Sequence, residues 1–377
     1  MKIASKIRGV LPGCIVVGAL LLAYVPHILS HNVRSHDFLK GDCYYYKTMI
    51  VSMLEDGDLV MSNNIGKGID PLNGFLALGK DDDLERLVPK HPILLPVVSL
   101  PFYAVLGSVG LLLFNLLVIV AVFLVMYGIL RLFYDTWIAV ATSVLFGVAT
   151  LFLNYSYNYS PDAFSTLIFL AGLYCAFLRR HGAAGLLLGL AIFAKLPNLP
   201  LVIVVTGYVA WDLLLRAEPG RRAHGMGRFA LFVLCLGVAL IPLAWSNQAL
   251  YGAPWIFGYH REITAAGLDD HVGNFNQPFV RGFVRLLIDG EHGLLTTNPI
   301  LLVSGVGLAC LWRRSGRAEL VVIGLLCLAQ LAFFASYDEW NHSHFSNRFL
   351  MTTVALSSVF AAAVLERVVR VFAPPME

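Results

Sequence analysis

Residues Val109–Arg131 read VGLLLFNLLVIVAVFLVMYGILR, a run with no charge before its closing arginine. Wound as a helix at about 1.5 Å per residue, it spans the roughly 30 Å hydrocarbon layer of a bilayer. Lipid offers backbone amides no partner, so a crossing run must be helical. Comparable apolar runs recur at 10–30, 136–154, 161–179, 183–197, 199–215, 229–248, 293–312, 319–336 and 348–369. Composition agrees: 58% of residues are hydrophobic, 14% are charged, and the mean hydropathy is +0.73. Soluble globular chains do not reach such values. The expected fold is all-α, a polytopic helical membrane protein of about ten transmembrane helices forming one domain over 1–377.

Loop charges orient this bundle. With the amino end in the cytoplasm, 15 of the 27 basic residues fall in short cytoplasmic loops or tails, among them Arg179, Arg180, Arg222, Arg228, Arg313 and Arg314. The opposite turns around Asn158 and Trp340 carry almost none, which is the positive-inside pattern. The first span, Val10–Ser30, follows Lys2, Lys6 and Arg8, is too long for a signal-peptide core and lacks a small-residue cleavage site. It is read as an uncleaved helix. His91–Gly107 is apolar but rich in proline, and counting it as a crossing would invert every later loop. It is therefore read as a re-entrant or short outer segment, tolerated only against protein or a cavity.

Polar residues then gather on one face, in a first loop over 31–90, the turn 155–161, a second large loop over 249–292 and the turn 337–347. Five of the six cysteines lie in apolar spans and act as small hydrophobes. Only Cys43 is in a loop, so no disulfide framework or Cys/His metal spacing arises. The net charge of +3 reflects topology and gives no reason to expect a nucleic-acid partner.

Asp42, in Gly41-Asp42-Cys43-Tyr44-Tyr45-Tyr46, lies close to the bilayer and could serve as general base on an acceptor hydroxyl. The plainer reading is a helix cap before an amphipathic stretch. Asp37 is the second candidate. Asp162 follows Pro161 at a helix start, where a carboxylate is ordinary chemistry. Lys195, flanked by Leu196-Pro197, either snorkels or faces a cavity. Arg348 opens the last span, and its planar fork suits a phosphate. Lys90 and His91 could add charge at the same level. Asp56-Gly57-Asp58 and Asp81-Asp82-Asp83 read as solvated turns, and His342 with His344 lacks a third metal ligand.

Several segments together resemble the GT-C class of membrane glycosyltransferases, of the bacterial protein-mannosyltransferase and aminoarabinose-transferase type. They are Gly41–Tyr46 followed by Glu55-Asp56-Gly57-Asp58-Leu59, then Pro89-Lys90-His91-Pro92, then Tyr159-Ser160-Pro161-Asp162-Ala163. Asn247 with Tyr251–Pro254 and Gly258-Tyr259 follows, then His292–Leu295 with Asn298-Pro299, and finally Asn347-Arg348-Phe349. The resemblance implies Asp42, with Asp37 behind it, as catalytic base. It implies Arg348, Lys90 and His91 around a donor phosphate, which a cavity-facing Lys195 would join, and Tyr45, Asp162, Tyr259, His292 and Trp340 are the candidates near the acceptor or sugar. Many relatives carry a second acid where this chain has Cys43, which argues against a metal-bridging acid pair. The resemblance also makes this a short member, without a soluble carboxyl-terminal domain.

The implied reaction is inverting transfer of a sugar from a polyprenyl-phosphate donor to a glycan, lipid or protein hydroxyl at the extracytoplasmic face of a bacterial inner membrane. Both termini would be cytoplasmic. No cofactor is expected, although a divalent cation stays open. A transporter or flippase of lipid-linked saccharides is the main rival, but it would favour internal repeats and midplane charges. A non-catalytic subunit that binds lipid-linked sugars is the other. The topology is checked with reporter tags: those within 213–228 and 312–318 should report cytoplasm, and those near Gly66 and Asp269 the outside.

Overall fold

The computed structural model describes residues 2–31, 39, 41–66, 73–216, 222–264, 267–269, 275–312, 317–338 and 346–372. Helices run through every apolar stretch. In chain order they are α1 (Lys2–Ser30), α2 (Asp42–Glu55), α3 (Leu94–Leu106), α4 (Ser108–Leu130), α5 (Thr136–Val148), α6 (Leu151–Tyr155), α7 (Pro161–Phe177) and α8 (His181–Ala194). There follow α9 (Leu199–Ala210), α10 (Arg222–Tyr251), α11 (Phe279–Ile288), α12 (Leu294–Thr297), α13 (Leu301–Trp312), α14 (Ala318–Ala335) and α15 (Met351–Phe372).

Among the described residues, six helical segments are long and apolar enough to cross a membrane unaided. The remaining expected spans are shorter. The span expected at 136–154 is broken between α5 and α6 at Ala149-Thr150, and that at 293–312 between α12 and α13 around Asn298-Pro299. The 13-residue α3 reaches only about 20 Å and cannot cross. Gly107, at φ 59°, turns the chain from α3 straight into α4, a left-handed conformation that favours glycine.

Helix packing follows membrane rules. Side chains such as Leu234, Ile241 and Trp245 of α10 face outward, where lipid is as good a solvent as protein. Close approach comes from small residues: a Cβ on Gly185 of α8 would sit 2.1 Å from the Phe232 carbonyl oxygen of α10. Buried polar side chains bridge backbone breaks. Asn115 of α4 donates to the carbonyls of Tyr155 and Ser156 (2.9 and 3.1 Å), holding the turn that precedes α7. Asn298 accepts from the amide of Leu151 at 2.7 Å, joining the two interrupted spans.

The all-α reading omits one feature. A four-stranded antiparallel sheet, in the order β2-β1-β3-β4, is built from β1 (Asn73–Ala77), β2 (Val88–Pro89), β3 (Glu262–Thr264) and β4 (Gly267–Asp269). Strands this short carry no readable alternation, so the sequence treats the two large loops as separate. The sheet joins them, with Ala77 opposite both Val88 and Glu262. Tyr251 at the end of α10 donates its hydroxyl to the Pro89 carbonyl at 2.5 Å, pinning the same edge.

The join is tight at Gly258, where a Cβ would lie 2.4 Å from the Lys90 carbonyl oxygen. Gly258→Ala should force the two loops apart and cost about 1–3 kcal/mol, the range for overpacking. A lowered thermal unfolding midpoint in detergent, against wild type, checks this.

Candidate functional site

Gly41, at φ 57°, lets the chain turn into α2 so that Asp42 is the first helical residue. The cap position belongs to Gly41, and no side-chain cap bond is present. Asp42 instead turns to Arg348, whose Nη2 lies 2.6 Å from its Oδ2. Arg348 begins a 3-10 turn, Arg348–Leu350, whose amino end is held by Asn347 Oδ1 accepting from the Phe349 amide.

A second acid–base pair adjoins the first. Ser160 caps α7, Pro161 opens it, and Asp162 in its first turn is buried. Its Oδ1 pairs with Lys195, which leaves the end of α8 in an extended conformation before the Leu196–Asn198 turn. Asp162 Oδ2 is 3.7 Å from Arg348 Nε, so two carboxylates and two cations alternate. The Phe349 ring lies under both cations, 4.7 Å from Lys195 Nζ and 5.4 Å from the Arg348 guanidinium carbon. Lys90, just past β2, makes a third pair with Glu262 of β3 at 3.0 Å.

His91 closes the group. Its Nδ1 is 2.9 Å from the Tyr259 hydroxyl, its ring stacks on Tyr46 at 5.3 Å, and its Nε2 points to Asp42 Oδ1 at 4.0 Å. Tyr46 meets Tyr159 edge-on, and Tyr159 shares a 2.6 Å hydrogen bond with Ser99 of α3. The Cys43 thiol donates to Asn158 Oδ1 at 2.8 Å, tying α2 to the turn before α7.

Burial pushes the Asp42 carboxyl up, but Arg348, His91, Lys90 and Lys195 together outweigh it and hold Asp42 below the usual carboxylate range. Burial pushes His91 down to about 3, against the pull of Asp42 and with help from the neighbouring cations. At neutral pH the site therefore holds a carboxylate at Asp42 beside a neutral imidazole. Two clefts flank the group. One is lined by Lys90, His91, Asn247, Tyr251 and Tyr259. The other is lined by Asp162, Lys195, Gln330, Arg348 and Phe349.

Asp42, Lys90, His91, Asp162, Lys195, Tyr259 and Arg348 thus come together from six separate stretches of chain. Asp162, expected near the sugar, is a counterion to Lys195. Tyr45 is buried in the core against Tyr44 at 5.5 Å, and the neighbouring Tyr46 faces the group in its place. His292 is engaged at the α11–α12 junction, 3.8 Å from Asp289. Asp37 and Trp340, like His342 and His344, lie outside the described residues. The acidic turns are locally occupied: Asp56 accepts from Asn64, Asp58 from the Val60 amide, and Asp82 pairs with Arg261. Sequence reasoning missed Glu262, Tyr46 and Phe349. An acid beside Ile263 in a β-prone stretch and an aromatic after Arg348 were the available signals.

Among solved structures, the chain is similar to ArnT from Cupriavidus metallidurans bound to undecaprenyl phosphate, with a TM-score of 0.58 and 15% identity over 96% of this chain. It is also similar to the same protein in the apo state, with a TM-score of 0.56 and 14% identity over 97%. In both cases the chain spans 60% of the neighbour's length. No protein-family profile and no curated protein matches. This is a helical polytopic membrane protein with the fold of ArnT.

The Asp42–Arg348 pair has a measurable signature. Removing one partner of a buried pair strands the other charge, at a cost of about 3–5 kcal/mol. Arg348→Ala should therefore destabilise the protein more than the double variant with Asp42→Asn, and thermal unfolding of all three in detergent checks it. The folded carboxyl of Asp42 sits below its unfolded value. Its contribution is thus present above the ordinary carboxylate range and is lost only as pH falls through the lower folded value. Without Arg348, burial raises the stranded Asp42 carboxyl, so the difference between wild type and Arg348→Ala should be largest near pH 8 and shrink as pH falls and that carboxyl takes up a proton.

Proposed function

We propose that this protein is a glycosyltransferase that moves a sugar from a polyprenyl-phosphate donor to a hydroxyl acceptor, at the extracytoplasmic face of a bacterial inner membrane. The observation that carries the reading is Asp42, a carboxylate kept ionised by Arg348 at the start of a membrane-proximal helix, amid Lys90 and Lys195. The ArnT fold, met in complex with undecaprenyl phosphate in one neighbour, supports a lipid-phosphate partner.

The chemistry is a single displacement. The acceptor oxygen bonds to the anomeric carbon as the carbon–oxygen bond to phosphate breaks, so the configuration inverts. The acceptor proton passes to Asp42, and the bonding electrons leave with polyprenyl phosphate. Cations fixed in a water-poor site stabilise the charge that develops on the leaving phosphate. Arg348 links the two halves. A phosphate that draws its guanidinium away from Asp42 leaves burial to act on the carboxylate, which makes Asp42 a stronger base once the donor is seated.

Two measurements test this. Purified protein in nanodiscs should bind undecaprenyl phosphate, and Arg348→Ala should weaken that binding by about 1.5–3 kcal/mol, with Arg348→Lys recovering part of it. Mass spectrometry of envelope glycans from cells with and without the protein should reveal a sugar transferred only in its presence. Asp42→Asn should lower that transfer by about 10²–10⁴-fold while leaving undecaprenyl phosphate binding intact. Normal transfer in the Asp42→Asn variant would remove Asp42 as the base.

A further inference from the structure

His91 carries a constellation that the phosphate role does not use. Its ring is buried, lines the cleft shared with Lys90 and Tyr259, and is fixed on two sides, by Tyr46 stacking and the Tyr259 hydroxyl. Its Nε2 is buried with no hydrogen-bond partner among the described residues. Asp42 spends Oδ2 on Arg348, and its other oxygen, Oδ1, faces that Nε2 across 4.0 Å. Buried polar atoms ordinarily find partners, and one left unpaired costs about 1–3 kcal/mol. Here the gap has a definite size. A direct hydrogen bond is too short to span it, and a bridging water in line is too long. An oxygen about 2.8 Å from each atom, at the apex of a triangle on that base, would complete both hydrogen bonds, and because Nε2 is closed to solvent, seating it requires the side chains over the gap to part.

We propose that Asp42 Oδ1 and His91 Nε2 together hold the acceptor hydroxyl, so that His91 is a ligand of the acceptor and not of the donor phosphate. The inference rests on the glycosyl-transfer reading. With the Tyr259 hydroxyl donating to Nδ1, the ring proton lies on Nε2 and is donated to one lone pair of the acceptor oxygen. The hydroxyl proton points to Asp42 Oδ1, and the remaining lone pair is left to attack the anomeric carbon. As the new bond forms, the proton moves to Asp42 and the electrons of the broken bond depart with polyprenyl phosphate. His91 begins and ends neutral. Asp42 and Tyr46 from α2, Lys90 beside it and Tyr259 from the second loop are the titratable groups that face it, with Lys195 and Arg348 acting through space. A group between Nε2 and Asp42 Oδ1 must give a proton to that carboxylate, which an acceptor hydroxyl does and a charged phosphate oxygen does not.

The test reads undecaprenyl phosphate binding in nanodiscs and the amount of transferred sugar on envelope glycans, for His91→Ala and His91→Gln. His91→Ala should lose roughly tenfold or more of the transfer, because the attacking oxygen is no longer oriented. Its affinity for undecaprenyl phosphate should stay within about twofold of wild type, since no charge-assisted contact is lost. His91→Gln places an amide N–H near the former Nε2 and should recover part of the transfer. Normal transfer in His91→Ala overturns the proposal. So does a loss of undecaprenyl phosphate binding in both variants that matches their loss of transfer, which would make His91 a phosphate ligand. A wild-type protein that neither binds undecaprenyl phosphate nor alters envelope glycans overturns the glycosyl-transfer reading, and this proposal with it.

Discussion

The ion pair between Asp42 and Arg348 joins residues 306 positions apart in the chain, from the first outer helix to the last span. Both side chains are nearly removed from solvent, so neither charge could stand alone there. Taking a carboxylate or guanidinium out of water costs several kcal/mol per ion, and only a well-placed partner offsets it. Each remaining member of the group answers to this constraint. Asp162 lies at the far side of the Arg348 guanidinium, Lys195 neutralises Asp162, and Phe349 lends its ring face to both cations. Acid and base alternate, and the buried group stays close to neutral.

Elsewhere the interior polar residues serve continuity of the backbone. Gln330 of α14 donates to the Phe349 carbonyl and accepts from the Thr353 amide and hydroxyl. It thereby supports the turn that presents Arg348. The hydroxyls of Tyr24 and Tyr134 reach carbonyls of Gly147 and Val359 on distant helices. Lipid would leave such groups unsatisfied, so each marks a place where helices must meet in one register.

Much of this was legible in the sequence, and the limits have physical causes. Apolar length is a local signal, and it located the helices. Asp42, Asp162, Lys195 and Arg348 stand out because an ionisable residue near an apolar span is rarely idle. Their pairing was hidden, since nothing in a linear pattern says that Asp162 answers Lys195 and Asp42 answers Arg348. The sheet was hidden for a related reason: strands of two, three and five residues carry little pattern of their own, and the pairing that joins the loops sets Leu76 of β1 against Ile263 of β3, far along the chain. Tyr45 and Tyr46 are adjacent on a helix, and only the rotation of α2 against its neighbours decides which one faces the site.

That small sheet also works as a gauge. Across it, Val88, Ala77 and Glu262 lie in one row, and Lys90, two residues beyond Val88, shares their face. Because side chains alternate along a strand, a slip of a single residue between β1 and β3 would turn Glu262 to the opposite side. Lys90 would then lose its Glu262 partner, and Tyr259, three residues before Glu262, would be carried out of line with His91. Both contacts therefore depend on one register, since a slip along a strand moves a residue by roughly 3.4 Å. Insertions in the outer loops of such a protein would be tolerated beyond this row of residues and rejected between them.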